Sequence, residues 1–491
     1  MVKRRSANIT FGDLAPQDAI SYLALSKDGL NYAGFSKDLD PDLPWKGDEE
    51  LEGEHKPIKF SSAFALGMNN KSRASMLGDL GNNEAQKWEW GKEENPTLAV
   101  ILVYAKNKTK LNRLVKKHKT MLSENGMKAK QIEFTDPNEP EPFGFKDGIS
   151  NPILKGTRKA ARNSESIHVV SPGEFVLGYK DNRGYFPSSP QIESARDQDD
   201  ILPAIPRSLP QKYPKFMEGT QDKLRDLGRN GTYLVIRQLE QNVDAFKNST
   251  GRVAKDLFPS EFKGNNKNRR DAAILATQAK LMGRWQDGRP LVTAPVKLVR
   301  GANGEQRLVT TPPYEKNTNK EKDKEKREAE IRSAEMRDNE FLYGRDDPQG
   351  HACPFGSHIR RTFPRDSLNP NEKTELDISN RHRILRRGRS YVERKPDGTK
   401  AVGTFFMCLN ANIQRQFEFV QQTWVGGSTF HGIRDEVDPI TAQRSGNNQS
   451  FTFQSPGTDK QTNSLQSFVT MKGGGYFFMP GRDALEFIAN M

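Results

Sequence analysis

Ligand-capable and nucleophilic side chains are scarce in this chain of 491 residues, which has seven histidines and two cysteines. Cys353 and Cys408 cannot build a disulfide framework or a cysteine-based tetrahedral zinc site. Among the histidines, His55 and His118 sit among charged residues, and His168, His382 and His431 lie in polar or turn-like stretches. His351 and His358 flank one short segment, HACPFGSHIRR. An imidazole titrates near neutrality, so it serves equally as a neutral metal ligand or a proton carrier. Taken singly, a histidine in such a segment is more often structural or solvent-facing than a ligand.

The elements that must position these residues can be read from periodicity. TLAVILVYA (97–105), GTYLVIRQL (231–239), VGTFFMCLNA (402–411) and GGYFFMP (474–480) are β-branched or aromatic runs bounded by turn residues, and they predict strands. Residues 107–126, 269–286 and 413–424 carry apolar side chains at helical spacing. No G-x-G-x-x-G or phosphate-loop motif accompanies them, so an α+β class with antiparallel sheets is expected over a parallel nucleotide-binding fold. Residues 136–229 are rich in Pro, Gly, Asn, Asp and Ser and read as a long irregular connection. The apolar run SPGEFVLGY (171–179) argues that much of it is ordered. Residues 315–337 are nearly all charged and read as a solvated helix or a disordered insertion.

The hydrophobic fraction is 34%, low for a plain globular chain, so polar insertions or large loops must dilute the core. A formal charge of +13 favours anionic partners, whether nucleic acid, acidic membranes or sulfonated aromatic molecules, without choosing among them. The basic residues are spread along the chain, which weakens a nucleic-acid reading. No apolar run of 18 residues exists and no secretory h-region follows the charged N-terminus, so a soluble cytoplasmic protein is expected.

Read whole, GRDDPQGHACPFGSHIRRTFPRD (344–366) resembles the dye-decolourising peroxidases, whose proximal histidine lies in a segment close to CPFGAHIRRTNPRD. FGFKDGISNP (143–152) resembles that family's G-x-x-D-G motif, and RILRRGRSY (383–391) resembles the segment bearing its distal arginine. Residues 61–91, 403–424 and 467–481 extend the resemblance over nearly the whole chain. Phe363 stands where the family usually has Asn, and the opening Q-G-x-I-L-like strand is not evident, so the first strand is expected to be shortened or missing.

The resemblance implies two ferredoxin-like domains of the dimeric α+β barrel superfamily. The expected layout is 1–150 ending in the G-x-x-D-G loop, a connection over 151–230, and a haem-binding domain over 231–491 with a charged insertion at about 302–340. It implies haem b, held without thioether links since no C-x-x-C-H is present. His358 is expected to be the proximal iron ligand, with Asp147 as the distal acid–base group and Arg386 as the fixed positive charge. Arg387 is the alternative if the register slips by one. Arg365 is expected at a haem propionate, and Phe406 on the strand face that meets the haem. The carboxylate that often holds the proximal imidazole has no evident place.

The implied substrates are hydrogen peroxide and bulky aromatic or phenolic electron donors, with no nucleic acid, no membrane and a possible homo-oligomer. An aspartate base works at acidic pH, where a histidine is already protonated, so dye turnover faster in acid than at neutrality is expected. Family members are thought to oxidise bulky dyes at surface aromatics. Here Trp45, Trp88, Trp90, Trp285 and Trp424 are the tryptophans, and each is more simply a core residue. A haem carrier on the same scaffold and a basic nucleic-acid-binding protein remain as alternatives. A carrier has no need of Asp147 and Arg386.

Overall fold

The computed structural model describes residues 18–39, 59–136, 139–205, 223–300, 306–309, 339–368, 375–395, 397–444, 450–462 and 465–491. The charged stretch 315–337, Trp45 and His55 lie outside the described residues. Seven strands make one antiparallel sheet: β1 (Ala19–Leu25), β2 (Ala99–Ala105), β3 (Thr232–Gln241), β4 (Leu385–Arg386), β5 (Arg389–Arg394), β6 (Lys400–Asn410) and β7 (Val469–Met479). Their order is β4-β6-β3-β7-β1-β2, with β5 also on β6. The α+β class therefore holds. Strands from before residue 150 and after residue 231 join in the same sheet. Ala19–Leu25 is a full strand paired along its length with β2, so the first strand is present where the sequence suggested a loss.

The central strand β3 is buried on both faces, as its TYLVIRQL run requires. On its neighbour β6, alternation sends Phe405 and Met407 into one core with Ile236, Phe477 and Tyr391. Phe406 and Cys408 face the other core with Tyr233, Val235, Phe417 and Tyr476. Strands β4 and β5 keep one register against β6 and are separated only by Arg387 and Gly388.

The helices that accompany the sheet include α1 (Lys108–Glu124), α2 (Val243–Leu257), α3 (Lys267–Met282), α4 (His358–Thr362), α5 (Glu375–Arg381) and α6 (Arg482–Asn490). Asn107, Asn242 and Asn266 cap the first three, each side chain accepting a first-turn N–H. Helices α2 and α3 bury Phe246, Val253, Ala254, Ala273, Ala276 and Ala279 in a second core shared with Phe143, Trp285, Phe341 and Phe468. Residues 414–425 wind as a wide π-type helix; Glu418 N donates to Ile413 O and Gly426 N to Gln421 O. Among the described residues no helix is long and apolar enough to cross a membrane.

A single seam seats two of the motif-bearing segments. Helix α3 ends at Gly283, whose φ of +96° a left-handed cap requires. A Cβ there would collide with Ile359 of α4. Gly288, in the turn that comes next, packs against Ile149 of the 143–151 loop, where a Cβ would again collide. The helix bearing His358 and the loop bearing Asp147 are thus both seated on residues 283–288.

Candidate active site

His358 opens the short helix α4, which is locked onto α3 by Ser357 Oγ donating to Lys280 O at 2.6 Å. Its Nδ1 lies 2.8 Å from Asp438 Oδ2, and the imidazole is 23% exposed while the carboxylate is fully buried. The other oxygen, Asp438 Oδ1, accepts from Ile440 N (3.0 Å), Thr441 N (2.7 Å) and Thr441 Oγ1 (3.0 Å). Burial opposes the charge on Asp438, but His358, the Thr441 N–H and the nearby Arg361 outweigh it and pull its pKa down to about 2. An ionised carboxylate can only accept, so His358 Nδ1 is the donor in this contact, and a neutral imidazole held this way has its lone pair on Nε2. Asp438 is a carboxylate partner of His358 that the sequence did not place. It sits 80 residues from His358 in an unremarkable Val-Asp-Pro, and no local pattern marks it.

Arg361 ties the two together. It is fully buried, with Nε donating to Gly356 O, one terminal nitrogen to Trp424 O and Gly427 O, and the other to Glu436 O. One side chain three positions after His358 therefore pins the 424–436 segment that leads to Asp438.

On the loop side, Asp147 pairs with Arg386 through a short Oδ1–Nη1 contact, with the two side chains 29% and 35% exposed. Asp147 Oδ2 accepts from Gly388 N at 3.1 Å. That N–H belongs to the break between β4 and β5, where the edge strand turns a donor away from β6. Arg386 N donates to Asn151 Oδ1 at 3.2 Å, so the loop and the strand hold each other at two points. Burial alone would raise the Asp147 carboxyl; the Arg386 charge and the N–H groups of Gly148 and Gly388 outweigh it and leave the pKa below the ordinary aspartate value. Arg387 is exposed, and it is Arg386 that meets Asp147.

Phe406 is half-buried on the same face of β6 as Thr404, whose methyl lies beside Gly388. Arg365 is not brought to this set. It is 2% exposed, with its terminal nitrogens bonded to the carbonyls of Asn339 and Phe341 and to Asn339 Oδ1, and its guanidinium lies 3.6 Å over the Phe341 ring. With those donors occupied inside the protein, the expectation that Arg365 meets a propionate gives way to a structural role. Phe363, where the resemblance expected Asn, supports Arg383 at 4.0 Å from its ring centroid. Arg383 in turn donates to Ser150 O on the Asp147 loop and to His168 Nδ1. Trp88, Trp285 and Trp424 are buried core residues; Trp90 is half-buried and stacks on Phe405.

The chain is similar to known peroxidases. Residues 271–450 match the family model described as "Dyp-type peroxidase, C-terminal". The multifunctional dye peroxidase DyP2 of Amycolatopsis sp. is 31% identical over 266 residues, 51% of this chain and 47% of that protein. Peroxidase 2 of Mycetinis scorodonius is 24% identical over 379 residues, 72% of this chain and 57% of that protein. The chain thus spans about half the length of these two relatives. Among solved structures, an Anabaena sp. DyP-type peroxidase aligns with TM-score 0.60 at 22% identity, covering 97% of this chain and 82% of that one. A dye-decolorizing peroxidase in complex with 2,6-dimethoxyphenol aligns with TM-score 0.63 at 20% identity, covering 98% and 88%. At that identity the structural likeness speaks for the fold.

Proposed function

We propose that this chain, which is similar to the dye-decolourising peroxidases over residues 271–450, is a haem-dependent peroxidase, reducing hydrogen peroxide and oxidising bulky aromatic or phenolic donors and dyes. The observation that carries the reading is a pair of arrangements on one seam. A histidine is held by a buried carboxylate, and an ionised aspartate is clamped by an arginine, both seated on residues 283–288.

The donor set fits haem b bound without covalent links. His358 would hold the haem iron through Nε2, which makes no hydrogen bond among the described residues. Asp438 fixes the tautomer that leaves Nε2 free to bind. When bound, haem supplies the iron that receives peroxide and the oxidising equivalents passed to the donor. Asp147, ionised, would take a proton from one peroxide oxygen and return it to the departing oxygen. Arg386 donates to the negative charge that develops as the O–O bond lengthens. In the absence of peroxide these two groups satisfy each other.

The Asp147–Arg386 pair favours a peroxidase over a haem carrier, which has no use for it. The basic charge gives little support to a nucleic-acid reading. Eight arginines, Arg237, Arg284, Arg289, Arg360, Arg361, Arg365, Arg383 and Arg444, are buried and cannot reach a polyanion.

The test is the absorption spectrum of the haem-reconstituted protein before and after hydrogen peroxide, for wild type and His358→Ala. A Soret band that shifts with peroxide in wild type, and weakens or changes ligation in the variant, is expected, with 2,6-dimethoxyphenol oxidised on addition. A wild-type chain that takes up no haem overturns the reading.

A further inference from the structure

The loop that carries Asp147 has no regular secondary structure, so something else must hold the aspartate at its working position. Residues 141–145 form a tight turn in which Gly144 N donates to Glu141 O (2.7 Å) and Glu141 N donates to Phe145 O (3.0 Å). Gly144 has a φ of +95°, which only glycine adopts freely. The Glu141 side chain folds back over the same turn. Its Oε1 accepts from Phe145 N (3.0 Å), and its Oε2 from Phe143 N (3.1 Å) and Gln241 Nε2 (2.5 Å). Thr404 Oγ1 donates to Gln241 Oε1 at 2.8 Å, which fixes the amide so that its NH2 faces Glu141. The Thr404 methyl borders Gly388, the residue whose N–H donates to Asp147. The network therefore leaves the loop at Glu141, passes through Gln241 at the end of β3 to Thr404 in the middle of β6, and reaches Gly388, whose N–H Asp147 accepts.

We infer that Glu141 is a positioning residue for Asp147, its carboxylate clamping the 143–145 turn and tying it to Gln241 and Thr404. The inference rests on the reading of Asp147 as the acid–base group. Three donors converge on two oxygens, two of them from the turn and one from the sheet. Burial pushes the Glu141 carboxyl above its ordinary range, the three N–H donors pull it back, and the charge on Asp147 adds to the rise. The two carboxylates therefore sense each other.

An amide cannot replace this carboxylate. In Glu141→Gln one of the two oxygen positions becomes an NH2. At the Oε2 position it would face the donors of both Phe143 and Gln241, so it takes the Oε1 position and faces the N–H of Phe145, two residues before Asp147. The experiment uses the full haem-loaded chain as wild type, Glu141→Gln, Asp147→Asn and the double variant. The readouts are amide hydrogen exchange, haem affinity and kcat/KM for hydrogen peroxide.

In Glu141→Gln, exchange is expected to rise in the 141–148 and 386–388 segments while haem affinity is kept. kcat/KM falls roughly 10- to 100-fold. The fall disappears in the Asp147→Asn background, because a positioning residue has nothing left to position. Exchange equal to wild type in these segments, or an equal fall with and without Asp147, overturns the inference. If wild type does not react with peroxide, the peroxidase reading fails, and the exchange data alone decide whether Glu141 clamps the loop. Should Glu141→Gln not fold, Gln241→Met removes the donor outside the turn and is read the same way.

Discussion

Replacing Asp438 with asparagine changes one atom in a fully buried side chain, and the structure dictates how the new amide must turn. Asp438 Oδ1 accepts from two backbone N–H groups, those of Ile440 and Thr441, as well as the Thr441 hydroxyl; Oδ2 faces His358 Nδ1. If the NH2 took the Oδ1 position it would strand two buried N–H donors, at about 1–3 kcal/mol each. If it takes the Oδ2 position only the contact with His358 is lost. The second orientation wins, and it aims a donor at His358 Nδ1. The imidazole answers by moving its proton to Nε2, the nitrogen that should bind iron.

The expected consequence is a loss of haem affinity with little loss of fold. Outer-shell partners of metal-bound histidines are worth about 10- to 100-fold in metal affinity, or roughly 1.4–2.7 kcal/mol. The assay is a haem titration followed at the Soret band for wild type, Asp438→Asn and His358→Ala, with a thermal melt of each haem-free protein as control. Asp438→Asn should fall between the other two in affinity. A variant that binds haem with wild-type affinity and an unchanged spectrum would refute the tautomer argument.

Three further expectations come from the same geometry. A Cβ at position 388 would strike Asp147 Oδ2, so Gly388→Ala should lower kcat/KM for peroxide by on the order of 100-fold while leaving haem affinity unchanged, which a stopped-flow and titration pair would check. Arg361→Met leaves four carbonyls without their donor and should cost about 3–5 kcal/mol, read as a drop in urea midpoint; a change under about 1 kcal/mol would contradict the pinning role. In the haem-free chain, the depressed pKa of Asp438 contributes stability that is present in full above the unfolded value of about 3.9 and is lost as pH falls toward about 2, roughly 2–3 kcal/mol in all. The stability gap between wild type and Asp438→Asn should therefore narrow over that window.

What could be read from the chain and what could not divides along physical lines. The strands at 99–105, 232–241, 400–410 and 469–479 and the helices at 108–124 and 267–282 lie within a few residues of where periodicity put them, because burial on a sheet or a helix face leaves a local pattern. Motifs led to His358, Asp147 and Arg386, and the structure joins the last two directly. Partners brought together only by folding were out of reach. Asp438 is 80 residues from the imidazole it holds, and Glu141 is 100 residues from Gln241.

The arginines show why a residue type can mislead when its surroundings are unseen. Counted along the chain, they read as a positive surface awaiting an anion, and Arg365 in particular as a cation reaching for a carboxylate. In the fold, Arg360, Arg361 and Arg365 are interior struts whose planar donors close the ends of loops by bonding backbone carbonyls. A guanidinium suits that task because it offers five donors in a fixed fork, so one side chain satisfies several carbonyls that a loop leaves unpaired. The segment after His358 is arginine-rich for this reason: α4 is only five residues long and cannot hold its own orientation. Arg361 ties it to the segment before Asp438, and Arg360 ties it to Asp347 and Cys353. The charge that distinguishes this composition is in part the scaffold that holds the short helix bearing His358.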